Sequence, residues 1–246
     1  MTAVPRTAML LAAGLGTRMR PLTERTAKPL LPLGGRPLLD HALDRLGAAG
    51  VSRVVVNAHW QADRLAAHLA ARAGGPETVM LPEPGLLDTG GAVAAALRAG
   101  LLPDAPFFVV NGDAFWLDGP SPALARLAEA FDPGRQDGVL LLHRTTQVRA
   151  DVGAGDFMLD REGRLRRPTE REVAPYVYAG VQVLAPTLFA MAPDGRFSMN
   201  RLWDRAIAAA RLGAIVHDGL WFHLSTPADL AEAEASLHAR ATGETR

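Results

Sequence analysis

The 246-residue chain has no cysteine, which removes disulfides, thiolate nucleophiles and cysteine metal sites together. It has no charge excess either: 26 basic side chains face 26 acidic ones, for a formal net charge of zero. A general nucleic-acid or membrane-surface binder draws on a basic surplus, so neither class is expected. Long apolar runs are missing. Met9 to Ala13 is too short for a secretory leader or a membrane span, so a cytoplasmic protein is expected. There is no internal repeat or low-complexity tract, and proline and glycine never gather into a linker. What is present is apolar: 48% of the residues are hydrophobic. That supplies a sizeable core, and a single domain over residues 1–246 is the expectation.

The stretch from Ala8 to Leu33, AMLLAAGLGTRMRPLTERTAKPLLPL, organises the rest. An apolar strand, Met9 to Ala13, runs directly into Gly14 and Gly16. In α/β proteins this arrangement brings backbone N–H groups close to an anion. Arg18 and Lys28 then place two permanent cations on or just after the loop, with a Pro-Leu-Thr turn between them. Two cations beside a glycine loop suit a polyphosphate better than a single carboxylate. The P-loop pattern is absent, because no Gly-Lys-Ser/Thr opens the following helix.

Downstream, strand and helix alternate. Helical patterns over Pro37 to Ala49, Gln61 to Ala73 and Thr89 to Ala99 separate strand patterns at Val51 to Asn57, Thr78 to Leu81 and Phe107 to Val110. This order predicts an α/β fold, a Rossmann-like and mainly parallel sheet flanked by helices, with ligands at the strand C-terminal ends. After Asp113 the pattern loosens. Helices are expected over Pro122 to Phe131, Met199 to Arg211 (capped by Ser198) and Ala228 to Ala239. Strands are expected at Gly138 to His143, Tyr176 to Leu184, Ala214 to His217 and Leu220 to Leu224. A hairpin is expected around Glu162-Gly163. Asp113 closes the Phe107 strand on the ligand edge, where a carboxylate can hold magnesium together with phosphate oxygens and water. Asn111, two residues earlier, is expected on the same side and in reach of a ribose or sugar hydroxyl.

The run GLGTRMRPLT…KPLLPLGGRPLL resembles the signature of the sugar-1-phosphate nucleotidyltransferases, which join a nucleoside triphosphate to a sugar 1-phosphate and release pyrophosphate. The resemblance continues through PEPGLLDTGGAV (Pro82 to Val93), FFVVNGDAFW (Phe107 to Trp116), GAGDFMLD (Gly153 to Asp160) and YAGVQVL (Tyr178 to Leu184). It implies a GT-A-like nucleotidyltransferase fold, divided into a nucleotide half (1–117) and a sugar half (118–246). It also implies in-line transfer with Arg18 on the leaving pyrophosphate, Lys28 on the incoming phosphate, and Asp113 on Mg2+, with Mn2+ as a substitute. Leu11, Ala12, Ala13, Gly14, Gly16, Thr17, Glu83, Thr89, Gly90 and Asn111 would contact the nucleotide. Asn111, Gly155, Asp156, Ala179 and Gly180 would contact the sugar. Among subfamilies, the length and the run WFHLSTPADLAEAE most resemble those of the N-acetylmuramate 1-phosphate uridylyltransferases, which implies uridylyl transfer in cell-wall recycling. Guanylyl or thymidylyl transfer onto mannose, heptose or glucose 1-phosphate is the alternative. A nucleotide-sugar-binding protein without catalysis is a third reading. The partners implied are small molecules, and the protein is expected as a monomer or small homo-oligomer.

His223 departs from the family pattern, which places a second aspartate there. Neutral imidazole is a softer ligand, better suited to zinc, nickel or manganese than to magnesium. Three readings stand: a metal ligand, a hydrogen bond to phosphate or metal-bound water, or a structural histidine. Asp218 and Asp229, nearby in sequence, are not expected in the site, and His59-Trp60 is expected to be structural.

Overall fold

The computed structural model describes residues 4–148 and 150–243. Seven strands form the central sheet: β1 (Thr7–Leu11), β2 (Arg53–Ala58), β3 (Glu77–Pro82), β4 (Phe107–Asn111), β5 (Gly138–Arg144), β6 (Tyr176–Leu184) and β7 (Leu212–Val216). Their spatial order is β7-β5-β6-β4-β1-β2-β3. The β4-β1-β2-β3 half is parallel throughout, as strict alternation with helices requires. β6 then enters antiparallel to both β4 and β5, and β7 returns parallel to β5, so the sheet is mixed but mainly parallel.

Alternation along each strand sorts the core into two layers. Ala8, Leu10, Val54, Val56, Phe108 and Val110 face one side, where they meet Leu39, Leu43 and Leu46 of α1 (Leu38–Ala48), Leu65 of α2 (Ala62–Ala71) and Leu127 of α4 (Ala123–Ala130). Met9, Val55, Phe107 and Val109 face the other, against Val93 and Ala96 of α3 (Asp88–Arg98) and Leu202 and Trp203 of α5 (Asn200–Ala208). Both faces are covered, which is why the strands read as continuous apolar runs.

A third, smaller cluster bears on function. Met19, Leu31, Leu33, Leu38, Phe115 and Leu224 pack with Ala233 of α6 (Pro227–Thr242). The glycine loop is thereby nailed down from behind through Met19. α6 starts at a full capping box, in which Thr226 accepts from the Asp229 N–H and Asp229 accepts from the Thr226 N–H.

Several boundaries differ from expectation. α5 begins at Asn200, and Met199 rather than Ser198 stands at its cap position, while Ser198 Oγ accepts from the Asn200 N–H at 3.3 Å. α5 also stops at Ala208, and Ala210 takes a φ of 53° on the way to β7. α6 runs on to Thr242. Phe115–Leu117 forms an unanticipated strand, paired antiparallel with Leu220–Phe222. The expected hairpin is present as Met158–Leu159 against Leu165–Arg166.

Candidate active site

The C-terminal ends of β1, β2 and β4 open onto a cleft with two chambers. The larger, about 440 Å³, is lined by Leu11 to Gly14, Gly16 to Met19, Lys28, Asn57, Glu83, Leu86, Asp88, Thr89, Asn111, Asp113 and Arg196, among others. The smaller, about 280 Å³, is lined by Asp156, Tyr178 to Gly180 and Trp221 to Ser225, with others. Arg18, Lys28, Asn111, Asp113 and Ser225 belong to both walls. The residues singled out for phosphate chemistry therefore stand at the junction.

Lys28 opens a short 3-10 turn, Lys28–Leu30, whose Pro29 is buried against the end of the sheet. Asp113 sits in the turn after β4. The strand ends at Asn111, so turn geometry rather than strand alternation brings Asn111 and Asp113 to a common side. The Lys28 ammonium and the Asp113 carboxylate form an ion pair across the junction, the carboxylate remaining one-third exposed. Arg18 carries no hydrogen bond or ion pair among the described residues and is exposed to the cleft. A Cβ placed on Gly14 would meet no protein atom within 4 Å, so the missing side chain leaves open space beside the loop backbone.

A buried relay stiffens the larger chamber. Asn57, at the end of β2, accepts from the Ala12 N–H at 2.8 Å and donates to Glu83 Oε1 at 2.6 Å. Glu83 Oε2 accepts from the Leu87 N–H at 3.0 Å. Glu83 is 5% exposed and both its oxygens are engaged. It thus acts by holding the loop ahead of α3. Asn57 was not singled out in the sequence, although an asparagine ending a run of valines on the ligand edge was a usable signal. Gly90 does not line the chamber: it is buried, and its N–H donates to the Phe197 carbonyl at 3.0 Å. Thr89 does line it, while its Oγ1 accepts from the Met199 N–H at 2.9 Å.

In the smaller chamber, Asp156 Oδ2 accepts from the Tyr178 N–H at 2.8 Å, and Trp221 Nε1 donates to the Ala179 carbonyl at 2.9 Å. Gly180 has a φ of +80°, and a Cβ there would lie 3.1 Å from Ala114 Cβ, so a side chain is disfavoured on both counts. The pairing of β6 with β5 shifts register around this glycine. Gly155 does not line the chamber: its φ is +75°, and a Cβ there would lie 2.4 Å from the Ala174 carbonyl oxygen. His223 lines the chamber, and burial holds its imidazole below the ordinary histidine range, favouring the neutral ring.

Asp218 pairs with Arg126 at 2.8 Å, and Asp229 is consumed by the α6 cap, so both are structural, as expected. His59 Nδ1 meets the Glu83 carbonyl and Trp60 Nε1 donates to the Thr23 carbonyl, which also makes that pair structural.

Among the described residues, no three His, Asp or Glu side chains gather into a metal cage. Asp113 already holds a cation, the Lys28 ammonium, at the chamber junction. One carboxylate with phosphate oxygens and water is a donor set that suits magnesium, which dehydrates reluctantly. The site therefore fits a divalent ion brought in with a phosphate ligand.

Residues 8–195 match the MobA-like NTP transferase domain. Over 241 residues the chain is 42% identical to the N-acetylmuramate alpha-1-phosphate uridylyltransferase of Caulobacter vibrioides, covering 96% of this chain and 99% of that one. It is 34% identical to the Neisseria meningitidis serogroup B protein of the same name, over 93% of this chain and 96% of that one. UDP-glucose pyrophosphorylase in complex with UDP-glucose superposes with a TM-score of 0.79 at 15% identity, over 96% of this chain and 99% of that one. The inositol-1-phosphate CTP transferase from T. maritima gives 0.75 at 19%, over 96% and 98%. At such identities these two structures speak for the fold alone. Sequence kinship over nearly the full length carries the assignment further: the chain belongs to the MobA-like NTP transferases and, within them, to the sugar-phosphate nucleotidyltransferases.

Proposed function

We propose that this protein transfers a uridylyl group from UTP to N-acetylmuramate 1-phosphate, giving the UDP-sugar and pyrophosphate. The observation that carries the reading is the Lys28–Asp113 pair at the one place where the two chambers share walls. The relatives from Caulobacter and Neisseria supply the base and the sugar. The larger chamber takes the triphosphate and the smaller takes the sugar. The nucleotide is then served mainly by residues 1–117 and the sugar mainly by 118–246.

In this reading an oxygen of the sugar 1-phosphate attacks the α-phosphorus in line. A new P–O bond forms, the bond to the β-phosphate bridging oxygen breaks, and pyrophosphate leaves with that electron pair. Positioning and charge neutralisation do the catalytic work, without a covalent enzyme intermediate. Lys28 holds the incoming phosphate beside the α-phosphate and offsets the repulsion between the two anions. Arg18, free of protein partners among the described residues, neutralises the departing pyrophosphate. Backbone groups of Leu11 to Gly14 border the nucleoside. Asp113, with His223 as second ligand, would hold Mg2+ or Mn2+, and the ion would supply neutralisation of the charge that develops on the phosphates. Asp156 and Gly180, which line the smaller chamber, receive the sugar. The product feeds a cytoplasmic route that returns cell-wall amino sugar to the nucleotide-sugar pool.

The test is pyrophosphate release with each of four triphosphates, a panel of sugar 1-phosphates, and magnesium or manganese. UTP with N-acetylmuramate 1-phosphate should give the highest kcat/KM. A preference for GTP with mannose 1-phosphate would move the protein to the guanylyltransferases. Tight nucleotide-sugar binding with no turnover anywhere would make it a binding protein.

A further inference from the structure

Arg196 lines the nucleotide chamber, yet it belongs neither to the glycine loop nor to any helix or strand. It sits on the strap that leads from the Pro186–Phe189 turn to α5, more than 80 residues beyond the last nucleotide segment read from the sequence. Three observations fix its place.

First, the strap is tied to the start of α3. The N–H groups of Gly90 and Gly91 both donate to the Phe197 carbonyl at 3.0 Å, Phe197 N–H donates to the Leu87 carbonyl at 3.1 Å, and Met199 N–H donates to Thr89 Oγ1 at 2.9 Å. Second, the approach is so close that side chains are excluded on the helix: a Cβ on Gly90 would lie 2.4 Å from the Phe197 ring, and one on Gly91 would lie 2.4 Å from the Gly195 carbonyl oxygen. The two glycines of the TGG run therefore serve the strap, and the strap carries Arg196 to the wall formed by Leu86, Asp88 and Thr89. Third, the Arg196 guanidinium has no hydrogen bond or ion pair among the described residues, and it is exposed at the chamber.

The phosphates have Arg18 and Lys28 at the junction. Arg196 is anchored beside Leu86 to Thr89, next to the segment held by the Asn57–Glu83 relay. On the nucleotidyltransferase reading, the nucleoside occupies this end. A guanidinium offers donors in a rigid fork and no acceptor. It favours a base edge that presents a carbonyl and disfavours one that presents an amino group. We infer that Arg196 is a specificity-determining residue that donates to the O4 carbonyl of uracil, where cytosine carries an amino group, and so selects uracil over cytosine. This inference rests on the proposed function.

The experiment is titration of UTP and CTP, with Mg2+ present, into wild type, Arg196→Ala and Arg196→Lys, by calorimetry. KM for the sugar 1-phosphate and the melting temperature serve as controls. Loss of one charge-assisted hydrogen bond should raise the UTP Kd of Arg196→Ala about tenfold and narrow the UTP/CTP ratio, with both controls unmoved. Arg196→Lys should recover charge but only part of the selectivity. An unchanged UTP Kd in Arg196→Ala overturns the inference and leaves the nucleotidyltransferase reading standing. An equal loss for UTP and CTP also overturns it, and places the cation on the phosphates. Wild type that binds no triphosphate overturns both.

Discussion

The Lys28 ammonium closes on the Asp113 carboxylate across 85 residues of sequence, at the point where the two chambers of the cleft share their walls. A protein cation therefore pairs with the carboxylate proposed to hold the metal. On the proposed function, Asp113 would hold the ion, and Lys28 would then be free to turn toward the phosphates.

Lys28→Ala should lower kcat by about 10²- to 10³-fold, the usual effect of removing one preorganised donor from a charge-developing site. The melting temperature should move little, because both partners reach solvent. Near-normal turnover would remove Lys28 from the chemistry. Direct titration of Mn2+ without nucleotide adds a second reading: Lys28→Ala should bind the ion more tightly, since Asp113 no longer has its internal partner.

His223→Asp tests the far side of the metal position. A carboxylate there offers a hard oxygen in place of a soft imidazole nitrogen, so the ratio of magnesium- to manganese-supported turnover should rise. If metal dependence is identical in the two proteins, His223 contacts phosphate or serves packing instead.

The Asn57–Glu83 relay should be costly to break. Asn57→Ala removes the donor to a carboxylate that is 5% exposed, and it also strips the Ala12 N–H of its acceptor. Leaving such groups unsatisfied costs about 1–3 kcal/mol, which for a domain of this size lowers Tm by roughly 2–4 °C per kcal/mol. UTP affinity should fall as well, because the relay joins the glycine loop to the segment ahead of α3. Wild-type Tm and Kd would show that the relay is dispensable.

Acid should loosen the β5 side of the sheet. His143 is 2% exposed and His217 fully buried, with their ring centroids 5.9 Å apart against Trp221, and the Nδ1 of each has no partner. Burial, with His217 and Arg144 adding to it, pushes the His143 pKa down to about 4. His217 shifts the same way through burial, opposed by its carbonyl contacts and by Asp118 and Asp218. A histidine whose folded pKa lies below its unfolded value binds more protons when unfolded. Its stabilisation is full above pH 6.5 and is lost as pH falls toward 4. For His143 this amounts to roughly 3 kcal/mol. Urea unfolding at pH 7, 6, 5 and 4 should show the decline, and His143→Leu should flatten it. A slope unchanged in that variant would assign the acid sensitivity to other groups.

The parallel half of the fold was legible because β1, β2 and β4 are buried on both faces, and each is followed by a turn signal and an amphipathic helix. Gly14, Arg18, Lys28 and Asp113 could be placed on the ligand edge for the same reason. The later half was harder to read. The pairing of β6 shifts register around Gly180, where Ala114 and Asn111 leave little room for a side chain, and nothing local announces such crowding. The Phe115–Leu117 strand exists only because Leu220–Phe222 lies beside it, about 100 residues on. Arg196 is one arginine among many in the sequence, and its position follows only from the strap's hydrogen bonds to α3. At Gly90 the sequence does not separate a ligand contact from a packing contact, because a glycine looks the same whether a ligand or the Phe197 ring approaches it.

Met19 lies beneath the glycine loop, in a pocket that Leu224 and Ala233 help to close. The residues proposed to grip the triphosphate come almost wholly from the first half of the chain, but Leu224 and Ala233, which help to close the floor under them, come from its far end. A fragment ending at Leu117 would hold nearly every group meant for the nucleotide. It would still expose Met19, Leu31 and Leu33 to water and leave β4 without its antiparallel neighbour. The loop's shape is thus a loan from the far end of the polypeptide, and the nucleotide end is not a module that can be cut free.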